Sequence, residues 1–248
     1  MTSLDMRGFS VSLLPVKNSD ILALNTSCAP SAWPGLRAIQ STELIPLPDG
    51  LKPVLPLATG HPSRRELIER CCNIFIASTA DLNALDAKSG DGDTGSTLAT
   101  ASRALIGSLD RLPLADMTQL YRAIGLELSQ TMGGSSGILL AIFFAAAGDA
   151  SSSGRGIIGA LNAGLERVQE IGGAQVGDRT LIDALRPALD ALPEGMAAAA
   201  SAARLGANFT ATIVQAKAGR ATYISPDQLR GHNDPGAEAV ARLFEQLV

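Results

Sequence analysis

The amino-acid sequence predicts an all-α fold: an antiparallel assembly of about eight helices, preceded by a short strand and a proline-rich linker. Three observations carry that expectation. Apolar residues make up 46% of the 248 positions but aromatics only 4%, so the core is built from Ala, Leu and Ile, a composition that favours closely packed helices over a β-sandwich. From residue 63 onward apolar residues recur at helical intervals, with Gly and Pro clusters in the gaps. No strand–helix alternation interrupts that run, which argues against a doubly wound sheet.

The elements follow in order. Phe9, Val11 and Leu13 alternate with Ser10 and Ser12 ahead of Pro15, the period of a short strand. No second strand follows, and an isolated strand is not stable in water. Seven of the thirteen prolines lie from Pro30 to Pro62, which makes this stretch an extended linker. Ser63 and Glu66 have capping-box spacing, and Leu67, Cys71, Ile74, Phe75, Leu82 and Leu85 continue at helical intervals, predicting one helix to about Asp86. Asp116 and Gln119 repeat the device ahead of Leu120, Ile124 and Leu128. Further helices are expected at about 95–109, 136–149, 154–171, 180–192, 196–218 and 236–247. The chain thus divides into residues 1–33, a linker at 34–61 and a helical domain at 62–248.

Composition also excludes. Twenty Lys+Arg against 24 Asp+Glu give a net charge of −4, with no basic run to neutralise a phosphate backbone, so nucleic acid is not the expected partner. Cys28, Cys71 and Cys72 form no CxxC pair, and a reducing cytoplasm is the expected compartment. The first residues lack the basic and apolar blocks of a signal peptide. The longest apolar run, Ile138 to Ala147, has about half the ~20 residues of a membrane span and reads as a buried helix.

The densest polar cluster runs from Asp86 through Asp91, Gly92, Asp93 and Thr94 to Thr97, between two expected helices. Glycines at 90, 92 and 95 let the backbone turn sharply enough to bring Asp86, Asp91 and Asp93 to one point, where converging carboxylates need cations; an all-oxygen donor set suits Mg²⁺. A solvated turn capping two helices accounts for the same residue types. Two other motifs are dismissed. Gly90 and Gly95 have P-loop spacing, but Ser96 stands in place of its Lys; and a calcium loop opened by Asp91 would end on Ser102 rather than Glu.

A second cluster, Met132-Gly133-Gly134-Ser135-Ser136-Gly137, precedes the apolar run. Its small residues let a ligand approach free helix N-terminal amides, which attract anions; a flexible turn with Ser135 or Ser136 as N-cap is the plainer account. Thr180 with Asp183 reads as a capped helix start, and Asp234-Pro235 as an N-cap and first helical residue. Arg220 could pair with phosphate or with a helix C-terminus. Metal on one side and anion-binding amides on the other are the two halves of a nucleotide-triphosphate site.

Taken together, LNALDAKSGDGDTGSTL, MGGSSGILLAIFF, GDRTLIDAL and GRATYISPDQLRGHNDPGA, in this order, resemble the nucleotide-binding L domain of the dihydroxyacetone kinase family over about residues 62–248. Residues 1–33 look like the final strand and tail of the family's substrate-binding K domain. The resemblance implies a barrel of eight antiparallel helices with nucleotide at one end. Asp86, Asp91 and Asp93 match aspartates that hold two Mg²⁺ ions, and Gly134, Ser135 and Ser136 match the phosphate-binding groups. Gly172, Thr180, Leu181 and Asp234-Pro235-Gly236 match positions around adenine and ribose, and Arg220 an arginine near the phosphates.

It also implies a glycerone kinase that consumes ATP, because Thr94 stands where relatives that keep ADP bound and work with a phosphotransferase-system partner usually have His. A nucleotide-bearing regulatory module is the non-enzymatic alternative. His61 and His232, the two histidines of this chain, have no context resembling the family's substrate-holding histidine. The chain is therefore expected to bind Mg-nucleotide yet to need a K-type subunit to phosphorylate a triose. A homodimer is a further possibility, and whether Met1 is a true start or interrupts a fused kinase stays open.

Overall fold

The computed structural model describes residues 15–26 and 56–248. The chain forms two compact units, Met1–Pro53 and Val54–Val248. In the first, the described residues contain α1 (Asn18–Leu24), whose start is tied by the Lys17 amide to Asp20 Oδ2 at 2.9 Å. The sequence did not predict this helix. The expected strand around Phe9, Val11 and Leu13 lies outside the described residues, as does most of the linker.

The second unit is helical, and its described residues form no strand. Its helices are α2 (Pro62–Ala77), α3 (Thr79–Asp86), α4 (Thr94–Ser108), α5 (Met117–Thr131), α6 (Gly134–Ser152), α7 (Ile157–Gly172), α8 (Ile182–Ala191), α9 (Met196–Thr210), α10 (Pro226–Leu229) and α11 (Pro235–Leu247). Each long helix packs on its chain neighbours, and α11 returns to α2 and α3, which closes a ring. Counting α2 and α3 as one broken rod, and setting aside the single turn of α10, the wall has the eight members expected.

Small residues explain how a chain poor in rings packs. A Cβ on Gly206 would sit 2.0 Å from the Asp183 carbonyl oxygen, and one on Gly164 would sit 2.6 Å from that of Phe143, so α8 meets α9 and α6 meets α7 nearly backbone to backbone. Ala184, Ala188, Ala199, Ala203, Ala207, Ala237 and Ala241 are buried between α8, α9 and α11. Such close approach gains dispersion contacts without large side chains. A polar seam completes the closure: Arg204 pairs with Glu238 and Glu245, and Arg242 with Glu238 and, at 2.8 Å, with Asp81 of α3.

Several element boundaries differ from expectation for local reasons. The helix expected from 63 to 86 breaks at Ser78, a buried residue whose amide bonds back to Ile74. Its start is capped by His61, with Nδ1 accepting from the Arg64 amide at 3.4 Å and Pro62 in the first position, so the Ser63–Glu66 box does not form. Leu67, assigned to the apolar face, is half exposed. The helix expected to reach 218 stops at Thr210, whose carbonyl accepts from Arg179 and whose hydroxyl accepts from the Asp234 amide. Asp116 caps α5 through the Gln119 amide as expected.

By length and composition alone, α6 could cross a membrane; here it is a stave of the wall between α5 and α7. Cys71 and Cys72 are free thiols whose pKa burial raises to about 11, which leaves them unreactive near neutrality.

Candidate functional site

Alternation along the ring decides where the chemistry-bearing segments lie. Neighbouring helices joined by short connections run antiparallel, so successive junctions fall at opposite ends. The junctions α3–α4 (residues 87–93), α5–α6 (132–133), α7–α8 (173–181) and α9–α11 (211–234) therefore share one end. Side-chain contacts tie three of them there. Arg220 pairs with Asp91, Lys217 with Asp178 at 3.2 Å, and Arg179 donates to the carbonyls of Thr210 and His232. The opposite end holds the entry of the unit, where Thr59 bridges the chain beside Pro113.

The acidic loop is shaped by Asp86. This residue ends α3 and is 6% exposed, and its Oδ2 accepts from the amides of Asp93 at 2.9 Å and Thr94 at 3.1 Å. A carboxylate from one helix thereby caps the next, which leaves Asp93, in the cap position of α4, with no side-chain cap bond of its own. Its carboxylate is exposed and unpaired. Gly90 is required: a Cβ there would lie 2.3 Å from Asp86 Oδ1. Gly92 supplies the left-handed turn, with φ of 79°. Asn83 fixes the loop's far side through both the amide and the hydroxyl of Ser96.

The result is that one carboxylate oxygen each from Asp86, Asp91 and Asp93 lie within 4.8 Å of one another. The cation facing them is Arg220, bound to Asp91. Three negative charges against one positive leave a net −2 in a space the size of a coordination shell, which fits a hard divalent ion with oxygen ligands. Arg220 occupies the site from the short helical turn at 220–223 and is itself well exposed, so it is free to move to another anion.

The first turn of α6 lies at the same end. Gly133 stands in the cap position, with no side-chain oxygen to satisfy the turn, and Gly134 has φ of 73°. Gly134, Ser135 and Ser136 are exposed and present unpaired amides, so the serines do not act as the N-cap. Gly137 lets the turn fold back, since a Cβ would meet the Met132 carbonyl at 2.4 Å.

The remaining expected residues line the next two junctions. Thr180 Oγ1 accepts from the Ile182 amide, and Asp183 accepts from the amides of Thr180 at 2.7 Å and Gly177 at 2.6 Å, so the Thr180–Asp183 device forms while Leu181 takes the cap position. Leu181 touches the Asp234-Pro235-Gly236 segment: a Cβ on Gly236 would be 3.2 Å from Leu181 Cβ. Asp234 caps α11 through the Ala237 amide at 2.9 Å. Burial pushes the Asp234 carboxyl up to about 6, against the pull of that amide and of Arg179. Gly172 packs on Leu139 of α6, the helix that opens at Gly134. The structure thus gathers Asp86, Asp91, Asp93 and Arg220 into one cluster and Thr180, Leu181 and Asp234–Gly236 into a second, with Gly134–Ser136 at the same end of the wall.

Sequence reasoning missed Arg179. It is 1% exposed, adopts φ of 63°, and links three segments. An arginine flanked by Asp178 and Thr180 carries no periodic signal, and only the fold reveals its burial.

Comparison with known proteins adds relatives. A family model described as the DAK2 domain matches residues 88–248. The chain is 40% identical to the dihydroxyacetone kinase of Citrobacter freundii over 264 residues, covering 100% of this chain and 46% of that protein. It is 33% identical to the triokinase/FMN cyclase of Homo sapiens over 270 residues, again covering 100% of this chain and 46% of the relative. The crystal structure of the C. freundii kinase in complex with AMP-PNP and Mg²⁺ superposes with a TM-score of 0.70 at 37% identity, covering 94% of this chain and 42% of that one. The chain therefore spans less than half the length of these relatives.

Proposed function

The chain belongs to the DAK2 domain family, and on that premise we propose that it is the Mg-ATP-binding L half of a dihydroxyacetone (glycerone) kinase, working with a K-type domain or subunit that holds a small ketose. In this reading residues 62–248 are the L domain, 34–61 the linker and 1–33 the tail of a K domain. The observation that carries it is the convergence of Asp86, Asp91 and Asp93 within 4.8 Å against a single guanidinium.

Asp86, Asp91 and Asp93 would hold two Mg²⁺ ions. When bound, these ions neutralise the triphosphate and the charge that develops as its terminal group departs. The chain's own residues bind and orient. The amides of Gly134, Ser135 and Ser136 hold phosphate oxygens, and Arg220 leaves Asp91 for the phosphates once cations take its place. Gly172, Thr180, Leu181 and Asp234-Pro235-Gly236 surround base and ribose. None of the described residues at this site is assigned a nucleophilic role, so catalysis rests on positioning and electrostatics. Asp86 meets the demand for rigidity, because two backbone amides fix its carboxylate.

The test is phosphorylation of dihydroxyacetone by the purified chain plus a K-type subunit, with ATP and Mg²⁺. Activity that disappears in Asp91→Asn supports the reading; an unchanged rate in that variant rejects the metal assignment. Thr94, in place of His, favours ATP as a consumed substrate over permanently held ADP, and rapid exchange of nucleotide on the purified chain distinguishes the two.

A further inference from the structure

We propose that Arg179 is the positioning residue for nucleoside recognition, clamping together the two loop segments, 177–181 and 232–236, that wall the base and ribose. The inference rests on the nucleotide-binding reading above and adds to it a residue whose side chain touches neither metal nor phosphate.

The geometry is specific. Arg179 Nη1 donates to the carbonyl of Thr210 at 2.7 Å and to that of His232 at 2.9 Å. Thr210, itself fully buried, accepts the Asp234 amide on its hydroxyl at 2.8 Å. One guanidinium therefore sets the end of α9, the approach to α11 and, through its own backbone, the loop carrying Thr180 and Leu181. The two walls meet where Leu181 faces Gly236, so their spacing follows the clamp.

The backbone around Arg179 is held independently. On one side Asp178 Oδ2 accepts from the Gln175 amide at 2.7 Å and the Asp178 carbonyl accepts from the Lys217 amide. On the other, Asp183 takes the amides of Gly177 and Thr180. Arg179 is left with a positive φ of 63°, a conformation glycine adopts without penalty and other residues keep only where their surroundings impose it. Its Nε and Nη2 are buried with no hydrogen-bond partner. A left-handed turn alone would be served better by glycine, and a filler better by an apolar side chain. What the arginine supplies is a terminal Nη1 that reaches carbonyls on two different segments from one bond further along the side chain than a lysine Nζ lies.

The prediction separates the nucleoside side of the site from the metal side. Full-length wild type, Arg179→Lys and Arg179→Gly are titrated calorimetrically with Mg-ATP and, separately, with Mg-tripolyphosphate, which has no base or ribose. The glycine variant relieves the positive-φ strain but empties a fully buried side-chain site, so melting curves accompany every titration. Both variants should bind Mg-ATP about tenfold or more weakly, a loss of about 1.4 kcal/mol, and Mg-tripolyphosphate within about twofold of wild type. Unchanged ATP affinity overturns the proposal. So does parallel loss of both ligands, by unfolding or otherwise, which would make Arg179 a structural residue alone. Failure of the wild type to bind either ligand would instead reject the nucleotide reading itself.

Discussion

Neutralising Asp93 should stabilise the ligand-free protein while abolishing its response to metal and nucleotide. Its carboxylate has no hydrogen-bond partner and shares a sphere of 4.8 Å with those of Asp86 and Asp91. At that separation like charges repel by about 0.9 kcal/mol in bulk water and about 3.5 kcal/mol at an effective dielectric of 20. Asp86 is buried and Asp93 exposed, so about 1.5 kcal/mol is reasonable for that pair, and Arg220 offsets most of the repulsion from Asp91. Asp93 makes no cap bond, so Asn loses only about 0.5 kcal/mol of charge–dipole attraction at the start of α4. The net gain is about 1 kcal/mol, or about 2–4 °C in melting temperature for a domain of this size. Wild type with Mg²⁺ and a non-hydrolysable ATP analogue at a hundred times Kd should gain about 2.7 kcal/mol, and Asp93→Asn should lose nearly all of that increment. Differential scanning fluorimetry with and without ligand reads both quantities. A lowered ligand-free melting temperature, or an undiminished ligand shift, would refute the reasoning.

Further predictions follow from the same geometry. Gly90→Ala places a methyl 2.3 Å from Oδ1 of Asp86, a carboxylate whose other oxygen two amides hold in place; Mg²⁺ affinity should fall about tenfold or more with helix content unchanged by circular dichroism, and wild-type affinity would show that the carboxylate can yield. Arg220→Gln removes an ion pair whose partners are both about half exposed, so stability should move by less than about 0.5 kcal/mol. In calorimetry the same variant should bind Mg²⁺ alone more tightly and tripolyphosphate more weakly; equal movement of both in one direction would count against the arginine exchanging partners. Gly206→Ala drives a methyl to 2.0 Å from the Asp183 carbonyl and should destabilise the chain by about 1–3 kcal/mol in urea unfolding, whereas a neutral result would mean that α8 and α9 can part freely.

Asp234 predicts a pH dependence. Its folded pKa, raised by burial to about 6, lies above the ordinary 3.8, so the folded state holds the proton more tightly than the unfolded one. This group therefore favours folding most below about pH 4, and its contribution declines as pH rises to about 6 and is constant beyond. The full change is at most about 3 kcal/mol. Asp234→Asn keeps a capping oxygen, and the stability difference between wild type and variant should shift over that window. Parallel curves from pH 4 to 7 would show that the carboxyl is not perturbed.

Much of the fold was legible because helical periodicity and Gly or Pro breaks are local signals, and they located the long helices of the 62–248 region to within a few residues. The exceptions have physical causes. Ser78 breaks a helix whose apolar spacing is continuous across it, and Thr210 ends another because its carbonyl goes to Arg179, a partner 31 positions away. The cap on α2 moved to His61 because Pro62 fits the first helical position better than Ser63 fits the cap.

For the site, the sequence by itself determined the inventory: three aspartates among glycines, a run of small residues ahead of an apolar helix, and two capped helix starts. Their chemistry is a property of residue type and short spacing, so it survives without a structure. What only the tertiary structure decided is the assembly. Ring closure and antiparallel alternation bring junctions far apart in the chain to one end of the barrel, set Arg220 against Asp91, and bury Arg179 between two loops. These are long-range contacts whose partners share no periodic relation in the sequence, so they exist only once the helices have packed.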